Sequence, residues 1–99
     1  MKNGKMKILV MKFGGTSVAN IERIIIVAYI IKQKIKKYKI ISVVSAMAGT
    51  TNDLQKYIDK IGTNNSSDSD LVITAGEQVS AGLLSMILNK TKIKSLSML

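Results

Sequence analysis

Lys12-Phe13-Gly14-Gly15-Thr16-Ser17-Val18 is the stretch around which the chain is organised. Upstream, Ile8 to Met11 is an apolar run of the kind that forms a buried parallel strand, and downstream a long helical pattern opens near Asn20. Two adjacent glycines at such a strand end remove the Cβ atoms that would hold a phosphate off the backbone. Successive N–H groups in the turn can then form an anion-binding concavity. Lys12 stands where its ammonium can reach a β- or γ-phosphate. The hydroxyls of Thr16 and Ser17 can donate to phosphate oxygens or contact a hydrated metal ion. A Walker loop is excluded, because its lysine follows the glycines and this one precedes them. On local features alone, a structural turn that uses two glycines for geometry explains the stretch equally well.

Working outward, Lys7 to Phe13 forms the first strand. Asn20 is a candidate N-cap, with Glu22 in the first turn, for a helix reaching to about Lys37. Ile24, Ala28, Ile31 and Ile35 form its core stripe. Ile25, Ile26, Val27 and Ile30 widen the apolar surface beyond what one sheet face needs, so a second layer or a partner subunit is expected over it. Lys39 to Ser45, rich in β-branched residues, is the second strand. Strand, helix and strand make a βαβ unit with both strands parallel in one sheet, and ligands in such sheets bind beyond the carboxyl ends of the strands. Lys12 to Ser17 and Ser45 to Thr51 are therefore expected on one rim.

The second rim loop, Ser45 to Asn52, is small and hydroxyl-rich and leads into a helix with Leu54, Tyr57, Ile58 and Ile61 on one face. Its hydroxyls and helix-start N–H groups can receive a carboxylate or phosphate. Thr51 and Asn52 are also candidate N-caps, a role less suited to Ser45, which precedes any helix. Gly62 ends this helix, and Thr63 to Ser69 is a polar loop of turn formers. From Asp70 the pattern is helical again, with Val79, Leu83, Met86 and Ile87 as its core stripe. Gly76 would let another backbone approach and hold Glu77 near the rim; an ordinary surface glutamate is the alternative. Ile93 to Leu99 alternates and has the pattern of a third strand.

Ninety-nine residues that are 46% apolar, with no Pro and 7 Gly, suit one small globular domain. The absence of cysteine excludes disulfides and thiolate metal sites, and the absence of histidine removes the usual zinc ligand and general base. The longest wholly apolar run, Ile24 to Ile31, is 8 residues, well short of the roughly 20 that span a bilayer. With no signal-peptide pattern at the start, a soluble, cytoplasmic protein is expected. The net charge is +9, but 14 of the 15 cations are Lys and isoleucine is about as abundant. This looks like a compositional bias on solvated positions, with Lys32, Lys34, Lys36, Lys37 and Lys39 gathered at a helix end where cations suit the dipole. Neither nucleic acid nor a membrane is an expected partner.

Four blocks, in order and spacing, carry a resemblance: Lys12 to Val18, Val43-Val44-Ser45-Ala46-Met47, Thr50-Thr51-Asn52-Asp53 and Thr74-Ala75-Gly76-Glu77. They resemble the amino-terminal part of aspartate kinase, a member of the amino-acid kinase superfamily, over roughly residues 6 to 99. The resemblance implies an α/β fold: the parallel-sheet βαβ start of an amino-acid-kinase three-layer sandwich, incomplete in itself. It implies that Lys12 binds and neutralises the transferring phosphoryl group, while Gly14, Gly15 and Thr16, with Ser17 beside them, line the loop for the ATP phosphates. Ser45 and Thr51 would contact the L-aspartate substrate and Glu77 would bind its ammonium group. No metal ligand is assigned to this chain.

The implied reaction moves the γ-phosphoryl of ATP, held with Mg2+, to the β-carboxylate of L-aspartate. The product is 4-phospho-L-aspartate, on the route to lysine, threonine, methionine and, in many bacteria, diaminopimelate. An already ionised carboxylate nucleophile needs alignment and charge compensation rather than proton chemistry, so a chain without His or Cys is no obstacle. In the family the adenine site, a substrate-binding Arg, a catalytic Asp and the regulatory ACT domains lie downstream. Residues 1–99 are thus expected as the amino-terminal part of the kinase domain, without ACT domains, from a homo-oligomeric parent enzyme. The isolated chain is expected to be inactive. The alternative is a truncated, non-catalytic remnant that at most binds an anion or a subunit.

Overall fold

The computed structural model describes residues 6–62, 66–93 and 95. Strand β1 (Lys7–Phe13) is followed by helix α1 (Ile21–Lys34), strand β2 (Tyr38–Val44), helix α2 (Ala48–Ile61) and helix α3 (Ser66–Lys90). The strands pair in parallel, from Lys7 opposite Tyr38 to Phe13 opposite Val44, which is the expected βαβ unit. α1 opens as its sequence directs: the Asn20 side chain accepts a hydrogen bond from the Arg23 N–H at 2.9 Å. It closes earlier than about Lys37, at Ile35, whose N–H reaches the Ile31 carbonyl. Ile35 to Lys37 then turn into β2, which begins and ends one residue before the expected Lys39 to Ser45.

Burial follows from alternation in the strands and from the helical period in α1. Ile24, Val27, Ala28 and Ile31 are buried at i, i+3, i+4 and i+7, joined by Val18, Val44, Leu84 and Leu88, with Met11, Phe13, Ile35 and Ile40 packed against them. Val27 therefore belongs to the core and not to the surplus apolar surface, while Ile35 sits at its margin. Each fully buried aliphatic side chain is worth about 1.5–3 kcal/mol. Ile25, Ile26 and Ile30 remain exposed.

α1 and α3 pack on each other and on β2, covering the sheet face that carries Met11, Phe13, Ile40 and Val44. The opposite face is bare. Ile8 and Val10 of β1, Ile41 and Val43 of β2 are each at least half exposed there. The register places Ile8 beside Lys39, Val10 beside Ile41 and Lys12 beside Val43, so both lysines share that face.

α2 and α3 differ most from the sequence expectation. α2 starts at Ala48, with Met47 as a cap that makes no side-chain hydrogen bond, so neither Thr51 nor Asn52 is an N-cap. The Met47 carbonyl instead accepts the N–H groups of Thr50 and Thr51. Leu54 and Ile58 are half-buried, but Tyr57 and Ile61 are exposed. Gly62 ends α2 as expected, in the left-handed region at φ 72°. α3 starts at Ser66, within the stretch expected to be loop. Its buried residues are Gly76, Ser80, Leu84, Ser85 and Leu88, whereas Val79 and Met86 of the expected stripe are exposed and Leu83 and Ile87 only half-buried. The buried face is thus turned by one residue, because small side chains make its closest contacts. α3 is long and apolar enough by length and composition to cross a membrane, a test that core helices also pass; here it packs on α1, α2 and β2. Residues 63–65, 94 and 96–99 lie outside the described residues, and with them most of the expected third strand.

Candidate functional site

The two rim loops meet at the carboxyl ends of the strands. Phe13, the last residue of β1, accepts a hydrogen bond from the Ser45 N–H at 3.0 Å, which carries the pairing one residue beyond β2. Beyond Phe13 the chain turns twice: the Ser17 N–H reaches the Gly14 carbonyl at 3.0 Å and the Val18 N–H reaches that of Gly15 at 3.3 Å. Val18 is buried and anchors the turn in the core. Two of the N–H groups expected to form an anion cradle are therefore used by the turn itself. Those of Gly15 and Thr16 are uncommitted among the described residues.

The two glycines have different reasons to be there. Neither has a positive φ, so the turn does not require glycine for its dihedral angles. A Cβ on Gly15 would lie 3.1 Å from the Ala46 carbonyl oxygen and 3.4 Å from the Ala48 Cα, so the loops close this tightly because the position has no side chain. A Cβ on Gly14 would meet nothing within 4 Å. The space beside Gly14 is open to a ligand.

Ala46 is the buried centre of this arrangement. A Cβ on Gly76 would lie 3.0 Å from the Ala46 Cβ, 3.2 Å from Leu54 Cδ1 and 3.5 Å from Thr50 Cγ2. Gly76 thus admits a close approach as expected, but by side chains of the second rim loop and α2 rather than by another backbone. This contact seats α3 against the loop, and Glu77 follows it at the rim, exposed, bordering a groove of about 830 Å3 between α3 and β2. Thr74, Gln78 and Ser42 to Val44 line the same groove.

Each sequence-derived site residue can now be located. Lys12 is exposed on the bare face of the sheet, one residue before the strand end. Gly14 to Ser17 form the turn above it, and Ser45, half-buried, is tied to Phe13. Thr51 is half-buried in the first turn of α2, with Ala48 and Gly49 ahead of it at the helix start. These residues stand on one rim. Glu77 reaches the same end of the sheet on a different wall, the α3 side of the groove, whose lining does not include Lys12. Arg23 was not singled out from the sequence. It lines a small cleft with Ser17 and Phe13, and its signal was its being the only arginine among 15 cations.

Comparison with known proteins identifies the family. The model of the amino acid kinase family matches residues 7–99. The chain belongs to the amino acid kinase family. Within it, the chain is similar to the aspartokinase of Rickettsia felis, at 43% identity over 99 residues, covering 95% of this chain and 25% of that protein. It is similar to the aspartokinase of Geobacillus stearothermophilus at 41% identity over 95 residues, covering 94% and 23%. Among solved structures, the crystal structure of aspartate kinase from Synechocystis matches with a TM-score of 0.81 at 40% identity, covering 85% of this chain and 15% of that one. The chain spans about a quarter of the length of the curated relatives it matches. Its α/β fold is the start of an aspartate kinase fold.

Proposed function

We propose that this chain is the amino-terminal part of an aspartate kinase domain and supplies its phosphate loop and part of its aspartate site. The observation that carries the reading is the closure of the two rim loops at Gly15 and Ala46, 3.1 Å from the glycine's Cβ position to the carbonyl oxygen. It brings a lysine, open glycine backbone and hydroxyl side chains to the carboxyl ends of two parallel strands, where ligands of α/β sheets bind. In this reading Lys12 compensates the charge of the transferring phosphoryl group. The uncommitted N–H groups of Gly15 and Thr16 and the hydroxyls of Thr16 and Ser17 hold phosphate oxygens beside the open flank of Gly14. Ser45 and Thr51 orient L-aspartate, and Glu77 receives its ammonium group from the α3 wall.

ATP with Mg2+, when bound, supplies the γ-phosphoryl group and a divalent charge that offsets its oxygens. The described residues contain no group of three or more acidic, His or Cys side chains able to hold a metal. Beside the open flank of Gly14 the hydroxyls of Thr16 and Ser17 are the side-chain oxygens that this reading sets next to the phosphates and their metal ion. The ACT regulatory domains, a soluble cytoplasmic setting, a homo-oligomeric parent enzyme and the route to lysine, threonine, methionine and diaminopimelate come with this reading of the whole enzyme. The domains themselves are not part of this segment.

The reading is tested by titrating the isotope-labelled chain with Mg-ATP and following backbone amide shifts. Amides of Gly14, Gly15 and Thr16 should move in the wild type, and affinity should fall at least tenfold in Lys12→Ala. Shifts confined to the lysines at the end of α1, or unchanged by Lys12→Ala, would overturn it. L-Aspartate-dependent ADP release from the 99 residues alone is expected to be absent.

A further inference from the structure

Helix α1 buries Ile24, Val27, Ala28 and Ile31 against α3 and the sheet. About half a turn away from that stripe, Glu22, Ile26, Tyr29 and Gln33 follow one another at i, i+4, i+7 and i+11, all exposed. Ile25 and Ile30 lie exposed on either side of them. Tyr29 is 63% and Ile26 57% accessible, so the middle of this crest is apolar and wet. A helix laid beside α1 on the same sheet would cover its flanks and leave the crest in water. Steps of four, three and four are the spacing of a seam between two helices, and contiguous exposed apolar side chains mark interaction sites.

We propose that this crest is a self-association surface, on which a second copy of the chain lays its own α1 antiparallel. The inference stands independently of the kinase reading. Charge along the crest selects both the occupant and its direction. With a twofold axis between Val27 and Ala28, Ile26 of each copy meets Tyr29 of the other, and Ile25 and Ile30 close the sides. Glu22 of each copy then meets Gln33 of the other, with Lys32 beside it, so an acceptor faces an amide donor and an ammonium at both ends of the seam. Among the described residues neither Glu22 nor Gln33 has a partner within the chain. A parallel arrangement would instead set Glu22 on Glu22 and Lys32 on Lys32. The antiparallel one also places each helix N-terminus beside the C-terminus of the other. Two chains of net charge +9 repel at long range, but at about 0.15 M salt this repulsion is screened beyond about 8 Å, while the contacts in the seam are closer. Four partly exposed apolar side chains per copy make a small interface, of the class that associates reversibly.

The test follows the mass of the full 99-residue chain by sedimentation velocity over a concentration series at about 0.15 M salt. A reversible monomer–dimer equilibrium is expected. Ile26→Glu changes an exposed position, its fold is checked by circular dichroism, and it should weaken the dimer about 100-fold or more. Val10→Lys with Ile41→Lys, on the bare face of the sheet, should leave the dimer intact. Glu22→Lys and Lys32→Glu should each weaken it about tenfold or more, and the two together should restore it. These residues are ten positions apart on one helix, about 15 Å, too far for contact within a chain. Both reversals also oppose the helix dipole, so an effect on helix stability alone makes the double variant the worst of the three. A chain that is monomeric at every concentration overturns the proposal. So does a dimer that survives Ile26→Glu, a dimer abolished by the sheet-face variant, a double charge reversal that fails to restore pairing, or monomers that float with vesicles of phosphatidylglycerol and phosphatidylcholine.

Discussion

Gly14→Ala and Gly15→Ala, made one at a time, separate the two glycines of the first rim loop. Both add one methyl group, and neither position has a positive φ. Both substitutions therefore restrict the unfolded chain alike, a gain of about 0.4–1 kcal/mol where the native backbone accepts alanine. The environments differ. At Gly14 the methyl enters open space, so this variant should be neutral or slightly stabilised. At Gly15 it would sit 3.1 Å from the Ala46 carbonyl oxygen and 3.4 Å from the Ala48 Cα, both backbone atoms, so a rim loop has to shift by a few tenths of an ångström. Overpacking of this kind costs about 1–3 kcal/mol. Because the unfolded-state gain is common to both, the difference between the variants isolates the packing cost. For a domain of this size each kcal/mol moves the melting temperature by about 4–8 °C, so Gly15→Ala should melt roughly 5–20 °C below Gly14→Ala. Thermal and urea unfolding followed by circular dichroism measure it. Equal melting temperatures, or a larger loss in Gly14→Ala, would refute the account of how the loops close.

Leu84→Ala should cost about 2–5 kcal/mol, while Val79→Ala and Met86→Ala stay within about 0.5 kcal/mol of wild type; urea midpoints of the three variants check which face of α3 is buried. Asn20→Ala removes the acceptor for the Arg23 N–H and should cost about 0.5–2 kcal/mol, read from the same unfolding curves and from increased amide exchange at Arg23.

The βαβ core was legible because its signals are strong and local. Alternation and β-branched residues mark the strands, Asn20 marks the start of α1, and Gly62 marks the end of α2 by taking the left-handed conformation that glycine accepts freely. The start of α2 was not legible. It has no side-chain cap, and its first residues, Ala48 and Gly49, have the composition of a loop; the helix begins there because the Met47 carbonyl is free to accept Thr50 and Thr51. The orientation of α3 was misjudged for a related reason. Apolar side chains lie on several of its faces, so periodicity in large residues pointed to Val79 and Met86. The contact is made by Gly76, whose smallness lets Ala46 and Leu54 in, and the buried face continues through Ser80. At the site, the residue types suited to phosphate, a lysine beside glycines and hydroxyls, could be named from the sequence. Ala46 as the buried centre of the rim, the different duties of Gly14 and Gly15, and the placing of Glu77 on a separate wall from Lys12 depend on contacts between distant segments that no local pattern encodes.

The central claim, that these residues form the phosphate and aspartate rim of a kinase, is tested most directly by a chimera. The matching first quarter of the Geobacillus stearothermophilus aspartokinase is replaced by residues 6–99 of this chain, and L-aspartate-dependent ADP release is measured with and without Lys12→Ala. The account predicts a chimera that releases ADP only when L-aspartate is present, and a folded Lys12→Ala version whose rate is at least 100-fold lower. A folded chimera without activity, or one indifferent to Lys12→Ala, would contradict it.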